Sequence, residues 1–248
     1  MTDKKQAIKL IALDMDGTLL TSDGEITTVT REAIANALEQ NIHVVLSTGR
    51  WFGNCYPFAE SLNLTSYLVT ANGGEIWTVN KKLIERHLLD PAMMEKMWGL
   101  ASFYGLNTWI VSTEKVYYNG ERPEDFYAHE WLKFGCDAMD KRKLDKVIEA
   151  FSYYDALELT NSLPTNIEVN PLGVNKATAL ERITQEIGIT MDNVLAAGDS
   201  LNDIKMIQQA GIGVAMGNAQ EAIKKAAAYV TDTNDQDGVA KAIKRFAL

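Results

Sequence analysis

The sequence predicts an α/β fold in which a doubly wound parallel sheet carries a smaller α+β insert. Three observations predict it. Short, continuously apolar runs at Leu10–Leu13 and at 44–46, 67–69, 194–197 and 212–215 give way within two residues to Gly, Asp, Ser or Thr. Continuous rather than alternating apolarity marks strands buried on both faces, as in a parallel sheet. Segments with helical spacing fall between these runs, so the chain reads as βαβ units. The rhythm then breaks after Asn72-Gly73-Gly74 and resumes only near residue 171.

The elements follow in order. After the first run, 28–40 places Val29, Ala33 and Ala37 on one helix face with Ile34 and Leu38 beside it. The segment 75–89 reads as a hairpin turning near Asn80-Lys81. Met93, Met94, Met97, Leu100, Ala101 and Tyr104 then form a helical stripe. Strand-like pieces follow at 108–111, 116–118, 156–159 and 166–169, with a helix at 141–152 whose apolar face is Leu144, Val147, Ile148 and Phe151. Helices among meandering strands make this segment the α+β insert. Its boundaries are expected near Arg86 and Pro171, so that 1–85 and 171–248 form a Rossmann-like core and 86–170 the insert. In the returning core, 176–187 sets Leu180, Ile183 and Ile187 at spacings of three and four, and 202–209 and 220–228 read as two more helices. There is no internal repeat or heptad pattern.

Composition narrows the function classes. The chain has 248 residues, of which 46% are hydrophobic and 23% charged, enough for a packed interior in a core plus a smaller domain. A net charge of −9 argues against nucleic acid and against anionic membrane surfaces, both of which require clustered Lys and Arg. It does not oppose a small phosphorylated substrate, because screening beyond about 8–10 Å lets local cations set the field in a pocket. The N-terminus is polar through Gln6 and the apolar run after it ends at Asp14. That run is too short for a signal-peptide core, no stretch approaches the ~20 apolar residues of a membrane span, and a cytoplasmic protein is expected, monomeric or weakly dimeric. Cys55 and Cys136 lack metal-type spacing and read as reduced, partly buried thiols. His43, His87 and His129 show no ligand spacing either.

Two acidic loops carry the chemistry. Asp14-Met15-Asp16-Gly17-Thr18 follows the first run, and Gly198-Asp199-Ser200-Leu201-Asn202-Asp203 follows the run at 194–197. Either loop alone could be a turn in which Asp and Gly serve only backbone geometry. Together, at the ends of two buried strands, they supply what a magnesium-dependent phosphoryl transfer built on an aspartate nucleophile requires. The attacking carboxylate must be ionised yet faces an anionic phosphate, and a hard divalent cation relieves the repulsion.

With these loops the chain resembles the haloacid dehalogenase-superfamily phosphatases, of the Cof-like type with a type IIB (C2) cap inserted late in the core. Four motifs match in order: 14–18, then Leu46-Ser47-Thr48-Gly49-Arg50, then Lys176 within Gly173-Val174-Asn175-Lys176, then 198–203. The resemblance runs from about residue 9 to residue 246 and is weakest across 86–170. The third motif departs from the common Ser-Lys-Gly, reading Asn175-Lys176-Ala177.

The resemblance implies roles for the matching residues. Asp14 attacks phosphorus and forms an aspartyl-phosphate. Asp16 protonates the leaving oxygen and then deprotonates water. Mg²⁺ is held by Asp14, the Asp16 backbone carbonyl and Asp199, with Asp203 behind them orienting metal waters or Lys176. Met15, Thr48, Gly49, Lys176 and Asn202 hold the transferring oxygens, each such donor typically worth about 3–4 kcal/mol in the transition state. Lys176 alone would read as a solvated lysine opening a helix. Ser47 competes with Thr48 for the phosphate, and the family register favours Thr48. Arg50 could touch phosphate or cap its own loop, and Asn72 could meet substrate or serve the turn into Gly73-Gly74. Of the insert's aromatic residues Trp98, Trp109, Tyr117, Tyr118, Tyr127, Trp131 and Phe134, most read as its core, with one or two facing the site to stack on a sugar. The reaction expected is hydrolysis of a small phosphomonoester, with the insert as a lid that reads the leaving group. A phosphomutase is the first rival, but a second-phosphate site needs a basic lid, and the insert offers only Arg86, Arg122 and Arg142 at or within its edges. A non-catalytic protein that kept the fold is the second.

Overall fold

A computed structural model describes residues 7–248; the polar stretch 1–6 lies outside the described residues. Two sheets form. The larger has eight strands, β1 (Leu10–Leu13), β2 (His43–Ser47), β3 (Tyr67–Thr70), β4 (Glu75–Thr78), β5 (Leu83–Arg86) and three later strands. Those three are β11 (Val194–Gly198), β12 (Ile212–Ala215) and β13 (Tyr229–Val230), giving the spatial order β13-β12-β11-β1-β2-β3-β4-β5. From β13 to β3 every pairing is parallel, and the expected hairpin β4–β5 adds an antiparallel edge. Every residue of β1 and β11 is buried, as their unbroken apolarity required.

Helices α1 (Thr28–Glu39) and α2 (Phe52–Ser61) alternate with the first strands. The core helices α5 (Lys176–Ile187), α6 (Ile204–Gln209), α7 (Glu221–Ala226) and α8 (Gly238–Phe246) follow the insert. Helices α2 and α8 are the two that periodicity missed. Pro57 lies inside α2 and Trp51 gives its start no side-chain cap, so the usual start and continuation signals are both lacking. At Asn175 the third-motif departure proves conservative. Its side-chain oxygen accepts from the Ala177 and Thr178 N–H groups and caps α5, the work a serine does at that position.

The smaller sheet belongs to the insert. It contains β6 (Asn107–Ser112), β7 (Val116–Tyr118), β8 (Trp131–Asp137), β9 (Leu157–Thr160) and β10 (Asn166–Pro171), in the order β7-β6-β8-β10-β9, all antiparallel. Helices α3 (Pro91–Tyr104) and α4 (Lys141–Ser152) pack on it. Met94, Met97, Trp98, Trp131, Phe134, Leu144, Val147 and Phe151 fill that interface. The central strand β8 was not expected. Its lysine and glycine interrupt any alternation, and a bulge shifts its register, since Val111 pairs with Lys133 while Ser112 pairs with Trp131. Arg86 closes β5 and Pro171 closes β10.

Across the opposite face of this sheet, the register aligns Tyr118, Trp109, Gly135 and Glu168 in one cross-strand row, with Val111 and Lys133 paired beside it. Gly135 is required there. A Cβ would meet the Trp109 ring at 2.2 Å, so the glycine lets the indole lie across the strand. Among the described residues no helix is long and apolar enough to cross a membrane.

Candidate active site

In a doubly wound sheet, ligands gather beyond the carboxyl ends of the strands where the winding direction reverses. Here that point is β1, flanked by β2 on one side and β11 on the other. Asp14 directly follows β1, Asp199 follows β11 and Thr48 follows β2. The two acidic loops are tied directly, the Asp14 N–H donating to the Ala197 carbonyl at 3.0 Å.

Lys176 binds the loops together. Its ammonium, fully buried at the start of α5, donates to Asp14 Oδ1 at 2.6 Å and Asp203 Oδ1 at 2.7 Å. Asp203 in turn accepts the Asp199 and Ser200 N–H groups on Oδ2, fixing the fourth motif's loop. Burial alone would lower the Lys176 pKa, but Asp14 and Asp203 outweigh it and hold the group above the usual lysine range. One ammonium cannot neutralise three carboxylates. Burial, then Asp203, push the Asp14 carboxyl well above its ordinary value despite Lys176. The same two causes push Asp199 up to about 7.

This surplus of negative charge fits a cation. One oxygen from each of Asp14, Asp199 and Asp203 lies within 4.8 Å of the others, and Asp199 Oδ1 is buried without a hydrogen-bond partner. The set is anionic and all oxygen, the chemistry that suits Mg²⁺. Gly17 leaves room for the Asp199 carboxylate. Its φ is +77°, and a Cβ would meet Asp199 Oδ2 at 2.6 Å.

Other expected residues take unanticipated partners. The Asp16 side chain stands outside the carboxylate cluster and accepts a bidentate pair from Arg50, Nε to Oδ2 at 2.9 Å and Nη2 to Oδ1 at 2.6 Å. Of the two expectations for Arg50, its side chain does not cap its own loop but reaches Asp16 on the first acidic loop. The Thr48 hydroxyl accepts from the Arg50 N–H at 3.1 Å, whereas the Ser47 hydroxyl is buried without a partner. Asn72 sits in the left-handed region at φ 59° and donates to Glu168 Oε2 at 2.7 Å. Asn202 donates to Asn72 Oδ1 at 3.3 Å. Met15 is wholly buried beneath the first loop.

The insert closes over this floor. Ser200 Oγ donates to the Ser162 carbonyl and Asn202 N–H to the Asn161 carbonyl. Lys133 Nζ donates to the Gly49 carbonyl at 2.7 Å and Glu168 Oε1 at 3.1 Å. Burial pushes the Glu168 carboxyl up, but Lys133 and the bond from Asn72 outweigh it and hold the group below its ordinary value. Between the two units lies a cavity of about 450 Å³. Asp14, Asp16, Gly49, Arg50, Asn202 and Asp199 line it from the core, and Trp109, Tyr118, Lys133 and Glu168 from the insert. Lys133, Glu168 and Ser162 were invisible to the motif reading. Their partners are remote in sequence and no local pattern announces them. Cys55 and Cys136 are buried free thiols, each pushed up to about 12 by burial.

The family model of haloacid dehalogenase-like hydrolases matches residues 11–243, spanning all four motifs and the insert. The chain belongs to that family. A 5-amino-6-(5-phospho-D-ribitylamino)uracil phosphatase of Bacillus subtilis, YcsE, is 52% identical to this hydrolase over 97% of the chain and 96% of its own length. A haloacid dehalogenase-like hydrolase structure from B. subtilis superposes with a TM-score of 0.88 at 26% identity, covering 96% of this chain and 99% of its own. The subclass IIB sugar phosphatase BT4131 superposes with a TM-score of 0.83 at 24% identity, covering 96% and 98%, and so shares the fold of core and cap.

The carboxylate cluster gives this hydrolase a pH signature. Asp199 titrates near 3.8 in an unfolded chain and at about 7 in the folded one. The folded state therefore holds the extra proton, and its stability falls as pH rises from one value to the other. A cation bound there competes with that proton. The gain in melting temperature on adding Mg²⁺ to chelator-treated protein should therefore be small at about pH 5 and larger at about pH 7.5. Calorimetric melts at both pH values test this, and a gain that shrinks with pH would refute the site.

Proposed function

We propose that this hydrolase is a Mg²⁺-dependent phosphomonoesterase acting through an aspartyl-phosphate on a small polyol or sugar phosphate. The observation that carries the reading is the convergence of Asp14, Asp199 and Asp203 around buried Lys176, with Asp14 and Asp199 lining the cavity between core and insert. Mg²⁺, held by Asp14, Asp199 and the Asp16 carbonyl with Asp203 behind them, would neutralise charge between nucleophile and phosphate.

The protein's own groups do the rest. Asp14 attacks phosphorus while its other contacts hold it in line, and Lys176 keeps that carboxylate oriented. Asp16 delivers a proton to the departing alkoxide and takes one from the water that opens the aspartyl-phosphate. Both its oxygens accept from Arg50, which leaves a lone pair on each for the proton. Arg50 thereby keeps the acid placed between turnovers. Closure of the cap over the cavity excludes bulk water.

For the substrate, the 52% identity to YcsE favours a phosphorylated ribityl chain bearing a planar ring. Trp51, Trp109 and Tyr118 on the cavity walls could stack on a flat heterocycle. A phosphomutase is disfavoured by charge. Arg86 pairs with Glu75 and Glu130, Arg122 with Glu95 and Arg142 with Asp140. None of the three lines the cavity, and the cations that do, Arg50 and Lys133, are each paired with a carboxylate. Among the described residues, a second phosphate in this cavity would meet no unpaired cation.

The test is phosphate release by purified protein with Mg²⁺ across the ribitylaminouracil phosphate, ribitol 5-phosphate, hexose phosphates and phosphoglycolate. Release from the ribityl esters that stops on chelation is expected. Isomerisation without release would make it a mutase, no reaction a binding protein, and full activity in excess chelator would remove the metal.

A further inference from the structure

The mechanism leaves one buried charged pair unused. Lys133 on β8 and Glu168 on β10 are 3% and 4% exposed, and both line the cavity beside the second-motif loop. Their hydrogen bonds can be counted. An ammonium has three N–H donors, and Lys133 uses two, on the Gly49 carbonyl and Glu168 Oε1. A carboxylate offers about four acceptor positions. Glu168 fills three, from Lys133, Ser162 Oγ and Asn72 Nδ2. One donor and one acceptor remain, on neighbouring charged groups enclosed by protein. Water can satisfy them in the resting cavity, but a buried polar site is completed best by a ligand group that matches it.

A hydroxyl both donates and accepts, so it matches one free N–H beside one free carboxylate lone pair. We propose that Lys133 and Glu168 form a specificity site that reads a hydroxyl of the leaving group near the ester oxygen, selecting polyol phosphates over phosphate esters without that hydroxyl. Their placement favours this over a purely structural role. Lys133 touches the Gly49 carbonyl and Glu168 the Asn72 amide, so the pair hangs over the loop that follows β2 rather than in the cap's own core. The β8 bulge serves the same end, because Lys133 pairs with Val111 and shares its face with the Trp109–Gly135–Glu168 row. The rest of that row is aromatic or glycine, which makes Lys133 and Glu168 the charged groups of the insert's wall. The inference rests on the phosphomonoesterase reading above.

The experiment crosses substrate with residue. Wild-type enzyme with Mg²⁺ is assayed on ribitol 5-phosphate, its singly deoxygenated analogues and pentyl phosphate, and the series is repeated with Glu168→Gln and Lys133→Met. In wild type, removing one particular hydroxyl should lower kcat/KM by about 10- to 100-fold, the worth of a hydrogen bond to a charged group. In each variant the same removal should cost less than about 3-fold, because one charged member of the pair is gone. Differences in intrinsic ester reactivity cancel in this comparison. An equal hydroxyl penalty in wild type and variants would make the pair a structural latch and overturn the proposal. So would a wild-type enzyme indifferent to every hydroxyl, an outcome that needs no variant to fold. Failure of wild type to release phosphate from any ester, aryl phosphates included, would instead overturn the underlying phosphatase reading.

Discussion

Asp14→Asn should abolish phosphate release, lowering kcat by roughly 10⁴- to 10⁶-fold, the scale on which losing a catalytic nucleophile is felt. An amide cannot attack phosphorus, and no other carboxylate can replace it. Asp203 is fully buried with both oxygens engaged, and Asp16 is turned toward Arg50. The fold should survive the change. Asparagine has the same shape, Lys176 retains Asp203 at 2.7 Å, and one of three crowded carboxylates is discharged. Phosphate release and thermal melts measured on one preparation test both halves. Turnover above about 1% of wild type would show that Asp14 is not the attacking group.

Lys176→Met should behave differently, losing activity and stability together. Removing the ammonium leaves Asp14, Asp199 and Asp203 within 4.8 Å of one another with no protein cation among them. Breaking a buried pair in this way typically costs about 3–5 kcal/mol, or on the order of 10 °C in melting temperature for a chain of this size. The penalty should depend on pH. At about pH 5 Asp14 and Asp199, both raised by burial and Asp203, can take up protons, whereas at higher pH they must charge or bind a cation. Melts at about pH 5 and about pH 8, with and without Mg²⁺, separate these effects. A penalty that is equal at both would mean that Lys176 acts through packing rather than charge.

The carboxylate cluster was legible because Asp14 and Asp199 stand at strand ends, and those ends showed as abrupt stops in apolar runs. What interrupted legibility was pairing over distance. Arg50 was read for phosphate or its own loop, and neither reading anticipated its pair with Asp16 on another loop. Lys133 lies on β8, a strand whose glycine admits the Trp109 ring and whose bulge breaks the two-residue period, so the properties that suit it to the cavity hid it in the sequence. Glu168 lay within a correctly read strand, but an inward-facing charge there has no meaning until Lys133 and Asn72 are placed around it. Helix α2 was lost to Pro57, whose tolerance depends on tertiary packing that local propensity does not record.

The central place of β1 also has a consequence for biosynthesis. Its partners are β2, which follows closely, and β11, where Leu10 aligns with Val194. As the chain leaves the ribosome, β1, β2 and β3 can associate early, but one edge of β1 stays unpaired until nearly the whole polypeptide has been made. In that interval the five strands and two helices of the cap, which are contiguous in sequence, can assemble as a local unit. The catalytic half-site, by contrast, waits with an open, wholly apolar strand edge, the kind that recruits other chains. Premature termination anywhere between the cap and β11 would thus release a product with a finished lid, an unfinished core and a sticky seam where the reaction centre should close.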